Sequence, residues 1–180
     1  MLEYDKKEVY SMKEFIDDSL NSNKKSDIKI YPAQVKVERA NFSIYELKRQ
    51  YEERKKLIID PNFQRENVWK TNKQKSELIE FLLMGIPLPI IYLSQDNSGK
   101  LQVIKGIEYL LAIFDFINNQ FKLSKLDILS SLEDKSFNEL DGNQQLDIED
   151  GVVMTYIIKP PTPNIIEKYI LDRLYAWEQK

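Results

Sequence analysis

Acid–base, nucleophilic and metal chemistry at neutral pH rests first on thiols and imidazoles, and this sequence contains neither Cys nor His. That removes thiol nucleophiles, disulfides and Cys-rich zinc sites. It also removes a Ser-His-Asp triad, an HNH-type nuclease centre and a His-ligated metal. Catalysis would have to run on carboxylates, Lys, Arg, Tyr or Ser. Lys105 and Gly106 stand where an apolar run passes into an apolar helical pattern, which sets a cation beside a helix N-terminus suited to anions. Glu108, one step into that helix, competes for the same dipole and favours an ion-paired or solvated lysine. Asp147, Glu149 and Asp150 offer carboxylates for a cation, but their spacing fits no calcium loop, and a solvated helix face is the more ordinary use of them. Lys24, Lys25, Arg54, Lys55 and Lys56 would grip nucleic-acid phosphates only if they shared one face. The net charge of -3 has the wrong sign for a protein that binds nucleic acid by its overall field. Trp69, with no basic neighbourhood, fits an anchor for the following helix better than a base-stacking platform.

These residues need elements to position them. Ser11 to Leu20 reads as a short helix capped by Ser11, followed by the polar loop Asn21 to Asp27. Ile28 to Val37 alternates like a strand broken by Pro32. Ser43 and Glu46 form a capping box ahead of a helix through Tyr51 that ends in the basic run Arg54-Lys55-Lys56. Leu57 to Asp60 is a short strand stopped by Pro61. Thr71 and Gln74 open a helix with Leu78, Ile79, Leu82 and Leu83 on its apolar face. Gly85 falls at the left-handed C-cap position, and Pro87 and Pro89 block continuation.

Ile90 to Leu93 and Leu101 to Ile104 pair through the turn Asp96-Asn97-Ser98-Gly99. The helix Ile107 to Asn118 is apolar nearly all round, so it belongs in the core. Phe121 to Leu123 reads as a short strand, Phe137 marks a helical turn, Asn143 to Glu149 a polar helix, and Val152 to Ile158 the clearest strand. Asn164 caps a last helix with Ile166, Tyr169, Ile170, Leu174 and Trp177 on one face. The expectation is an α+β fold, a small mixed sheet with helices packed around it, preceded by an N-terminal helix and loop at 1–27 and occupying 28–180.

Three segments occur in a telling order. They are Pro61-Asn62-Phe63-Gln64-Arg65-Glu66-Asn67-Val68-Trp69, then Gly85-Ile86-Pro87-Leu88-Pro89-Ile90-Ile91-Tyr92, then Val103-Ile104-Lys105-Gly106-Ile107-Glu108-Tyr109-Leu110. With P-x-x-Q-R-x-x-V-W, G-I-P-x-P-x-I-Y and a strand-to-helix junction at this spacing, the chain resembles the ParB-related N-terminal domain of GmrSD-type modification-dependent restriction proteins, from near Val35 to about Leu174. The resemblance implies a ParB/sulfiredoxin-like fold and a restriction or phage-defence setting.

In that family the junction reads V-I-D-G-Q-Q-R-L and is implicated in nucleotide hydrolysis or nuclease-type phosphate chemistry. The acid can hold a metal or activate water, and Gln and Arg at a helix N-terminus grip phosphate oxygens. Here Lys105 replaces the acid, Ile107 and Glu108 the glutamines, and Tyr109 the arginine; only Gly106 persists. The resemblance therefore implies a remnant phosphate or nucleotide pocket made of Gln64, Arg65, Lys105, Gly106, Glu108 and Arg173, with no catalytic residue and no metal. Each has a plainer use: Arg65 pairing a carboxylate such as Glu108, Arg173 snorkelling at the core rim. Asp141-Gly142-Asn143-Gln144-Gln145 looks like the lost motif but lacks the flanking apolar strand and helix, and is expected to be a capped loop.

The expected function is a catalytically inactive or repurposed binding or interaction scaffold, with no cofactor. Magnesium–nucleotide enters only if activity is retained. Partners would be a protein or a second copy, with nucleotide or DNA held weakly. The alternative is a nucleotide hydrolase or nuclease drawing on Asp60, Glu66 or Asp96. No apolar run approaches the ~18 residues of a membrane span and no secretion signal opens the chain, so a cytoplasmic protein is expected. The chain is also expected to be truncated after its last helix, without the effector domain that follows in the family.

Overall fold

A computed structural model describes residues 35–60, 71–162, 166–167, 169–170 and 172–174. The expected helix at 11–20, the strand-like stretch before 35, the Gln64–Arg65 segment with Trp69, and the Asn164 cap lie outside the described residues. Val37–Pro160 forms one compact unit, and Met1–Lys36 with Pro161–Lys180 forms another.

The chain is α+β. A five-stranded mixed sheet runs in the order β1 (Lys36–Ser43), β5 (Val152–Lys159), β3 (Ile91–Gln95), β4 (Leu101–Lys105), β2 (Leu57–Ile58). Strands β3 and β4 are the antiparallel hairpin, while β2 pairs parallel to β4 and β5 parallel to β3. The Ile44 N–H donates to the Gly151 carbonyl at 3.0 Å, and Lys159 at the far end pairs with Glu38, so β1 lies antiparallel to β5. Strand β1 departs from the sequence pattern, whose alternation ends at Val37, and runs on to Ser43. Its residues Lys36 to Arg39 are exposed, as suits a charged edge strand.

Alternation along the strands builds one core face. Ile91 and Leu93, Leu101 and Val103, Val153 and Ile157 are buried on it, together with Thr155. Helix α1 (Ile44–Glu52) adds Ile44 and Leu47, helix α2 (Asn72–Leu83) adds Leu78, Ile79 and Leu82, and α4 (Gly142–Glu149) adds Ile148, all in a single cluster. Helix α3 (Ile107–Ile117) contributes most. Leu110, Ile113, Phe114 and Phe116 are almost fully buried, each stabilising by ~1.5–3 kcal/mol against exposure.

The caps follow the sequence with two changes, the first at α1 and the second at α2, where Gln74 Oε1 accepts from the Thr71 hydroxyl and not from its N–H. Ser43 accepts from the Glu46 N–H at 3.2 Å, but the Glu46 carboxylate turns to Gln50 and Arg54 instead of closing a box. Thr71 caps α2, and Asp141 with Gln144 makes a full capping box on α4. Phe121 to Leu123 is not a strand. Phe121 and Phe137 both pack on Phe116, at 5.3 and 6.0 Å between ring centroids, and this aromatic contact pins a loop that Leu123 and Lys135 close with a 2.9 Å backbone bond.

Candidate functional site

The junction between β4 and α3 is shaped by Gly106. Its φ of 95° and ψ of 19° let the chain turn from strand to helix within one residue. A Cβ there would also stand 2.9 Å from Ile91 Cγ1, so both backbone and packing require glycine. Gly106 offers α3 no side-chain cap.

One residue earlier the β3–β4 ladder slips. Tyr92 pairs with Lys105 and Leu93 with Val103, which leaves Ile104 as an extra residue on β4. Strict alternation would point Lys105 into the core. The bulge turns it to the opposite face, where its Nζ lies 5.7 Å from the centre of the Tyr92 ring. Lys105 is only 8% exposed and has interaction partners, so of the two plain uses expected for it, ion-paired or solvated, the solvated one does not hold.

Tyr92 in turn lies 5.5 Å from Tyr156 on β5, and the Arg39 guanidinium lies 5.4 Å from the Tyr156 ring centre. Across four adjacent strands the sheet thus carries a row of cation, ring, ring, cation. Each cation–ring contact is worth ~0.5–2 kcal/mol, more where water is excluded. Tyr92 closes the G-I-P-x-P-x-I-Y motif, but nothing in the sequence marks Arg39 or Tyr156. The register that aligns them is set by pairing between distant segments, and no local pattern announces it.

Glu108 lies half-buried in the first turn of α3, next to Tyr109, and Lys105, Glu108 and Tyr109 all have interaction partners. Lys105, Gly106 and Glu108 are therefore brought together, as their adjacency requires. Gln64 and Arg65 lie outside the described residues. Arg173 belongs to the Pro161–Lys180 unit; its Nε donates to the Tyr169 hydroxyl at 3.1 Å, and its guanidinium lies over that ring.

Of the carboxylates of the enzymatic alternative, Glu66 lies outside the described residues, and Asp60 and Asp96 fall in different places. Asp96 sits at the hairpin tip, ~13 Å along β3 from Tyr92 at ~3.3 Å per residue. It is committed there: Oδ1 accepts from the Ser98 hydroxyl at 2.7 Å and from the N–H groups of Ser98 and Lys100 at 2.8 and 2.9 Å. The Ser98 hydroxyl leads these contacts in holding its carboxyl below the usual range. Asp96 is thus not near the junction. Asp60 follows the end of β2, which pairs parallel to β4, and so belongs to the same end of the sheet as Lys105.

Asp141 to Gln145 is not a loop: Asp141 and Gln144 form the capping box, Gly142 to Gln145 already belong to α4, and Gln145 donates to the carbonyls of Phe137 and Leu140. Among the described residues no three acidic groups come together as metal ligands. Among the described residues the junction itself offers the Lys105 ammonium, Gly106 and the Glu108 carboxylate in the helix turn. Of the basic run after α1, Arg54 is held in an ion pair with Glu46, as is Arg49 within the helix with Glu46 and Glu53.

Glu80 is a further residue of note. It is 2% exposed, and its two oxygens accept from the N–H groups of Asp127, Ile128 and Leu129 at 3.3, 2.8 and 2.6 Å. Burial pushes its carboxyl up, but those three donors outweigh burial and hold it below the ordinary value. An acid inside the apolar stripe Leu78, Ile79, Leu82 was the available sign.

No helix among the described residues is long and apolar enough to cross a membrane. Comparison with curated proteins and comparison with solved structures find no match. The family model described as GmrSD restriction endonuclease, N-terminal domain, matches residues 44–179, from the first residue of α1 through the last helical segment. That span contains the Gly85-Ile86-Pro87 turn and the Lys105–Gly106 junction, and the chain belongs to the family of GmrSD restriction endonuclease N-terminal domains.

Proposed function

We propose that this chain is a non-catalytic binding domain within a restriction-type defence protein. The observation that carries this reading is Lys105. The family resemblance implies a carboxylate at this position; here a lysine is buried, turned by a bulge onto Tyr92, and followed by Glu108 in the helix turn that phosphate would need. A cation in place of the acid removes both the metal ligand and the base in one substitution. Glu108 then fills the favourable field of the helix N-terminus.

The expected result is no heat on titrating ATP or GTP into the chain, with or without magnesium, and no phosphate release. Metal-dependent turnover abolished by Arg65→Ala would overturn the reading. The enzymatic alternative has one observation in its favour, the place of Asp60 at the same end of the sheet as Lys105. It requires that any turnover detected be lost in Asp60→Asn.

A further inference from the structure

At the end of the sheet where β5 begins, the C-terminal turns of α2 and α4 come together with the start of β5. Helix α2 stops there for three local reasons. Gly85 takes φ 71°, the Gly85 N–H returns to Leu82 and the Ile86 N–H to Phe81, both at 2.9 Å, and Pro87 blocks continuation. This cap leaves Ile86 39% exposed, and Val152 opposite it is 58% exposed. Between them runs an open groove of roughly 530 Å³, lined by Leu83, Ile86, Pro87, Asp147, Gly151 and Val152 among others.

The groove is apolar in its walls and negative in its field. Helices α2 and α4 both direct their C-terminal ends here, and neither has a basic residue in its last turn. Each such end carries about half a negative charge. Asp147 lines the groove and Glu149 and Asp150 follow it at the end of α4, next to the lining Gly151; none of the ion pairs among the described residues reaches these three carboxylates. Three acids at a helix C-terminus oppose the dipole and cost stability, so a cation brought to them is favoured twice.

We infer that this groove docks a basic amphipathic segment of a partner protein. Apolar side chains of the segment cover Ile86 and Val152, and its Lys or Arg meets Asp147 and Asp150. The inference rests on the binding-domain reading and names the chemistry of the partner. It is tested apart from that reading, since nucleotide turnover would remove the reading whatever the groove binds.

The test uses the full chain and two fluorescent helical peptides, one built of Leu and Lys and the other of Leu and Glu in the same pattern. The Leu/Lys peptide is expected to bind saturably and the Leu/Glu peptide not to bind. Val152→Lys and, separately, Asp147→Asn with Asp150→Asn are each expected to weaken binding by about ten-fold or more. Asn97→Lys, with the same charge change as Val152→Lys but at the far hairpin tip, should leave binding unchanged. Equal binding of both peptides, equal loss in Asn97→Lys, or no binding at all would overturn the inference. So would a dimer in sedimentation that Val152→Lys dissolves, because the groove would then belong to a second copy.

Discussion

A carboxylate taken out of water normally costs stability, and Glu80 reverses the sign by giving three backbone N–H groups their acceptor. Glu80→Gln keeps the shape but leaves one oxygen and an amide facing donors, so a loss of about 1–3 kcal/mol is expected in denaturant unfolding. The pH dependence has a definite sign. Its carboxyl lies below the ordinary value in the folded chain, so the unfolded chain binds the proton more tightly. The stabilisation is complete above the unfolded value, about 4.5, and is lost as pH falls through the lower folded one. Asp96 and Glu139 act in the same direction, Glu139 held at about 2 by the Ser136 hydroxyl and N–H and by Lys122. The melting temperature of the wild type should therefore fall more steeply below about pH 5 than that of Glu80→Gln. Parallel slopes would mean that Glu80 is not the group responsible.

Elements whose stops and starts are written locally were legible, and those set by distant pairing were not. The end of α2 shows the first kind: Gly85, Ile86 and Pro87 each have a separate local reason. The hairpin turn shows it too, with Asp96 accepting the turn N–H groups. Strand β1 shows the second kind, because Lys36-Val37-Glu38-Arg39 has no apolar alternation and becomes a strand only by pairing with β5. The bulge at Ile104 is likewise invisible in sequence, and it decides which way Lys105 points. Two glycines separate a local requirement from a tertiary one. At Gly85 a Cβ would meet nothing within 4 Å, so Gly85→Ala is expected to cost only the backbone strain of φ 71°, about 1 kcal/mol. At Gly106 the same change adds the 2.9 Å clash with Ile91, which starts β3 in the core, and about 2–4 kcal/mol is expected. Equal losses in chemical denaturation would show that Ile91 gives way freely and that the junction is not packed as tightly as its geometry indicates.

For the whole molecule the question is whether its charge can hold a nucleic acid without a catalytic site. A net charge of -3 gives no long-range attraction to phosphate. Several of the described cations are held in ion pairs within the fold: Lys48 by Glu52, Arg54 by Glu46, Lys75 by Asp115, Lys122 by Glu139, Lys159 by Glu38. Lys105 and Arg39, at the two ends of the aromatic row, lie against ring faces. Releasing them to phosphates would sacrifice those contacts. Duplex DNA is therefore expected to bind no more tightly than about 100 μM near physiological salt, the weak end of non-specific binding. Fluorescence anisotropy between about 50 and 200 mM salt decides the matter. A chain that tracks the backbone through six or more phosphates would lose about a thousand-fold in affinity over that interval. Such a slope, weakened by Arg39→Ala, would show that the sheet face carries DNA and that its ring-bound cations are available to it. A flat or absent signal leaves binding by this domain to protein partners, for which the acidic groove between α2 and α4 has the matching chemistry.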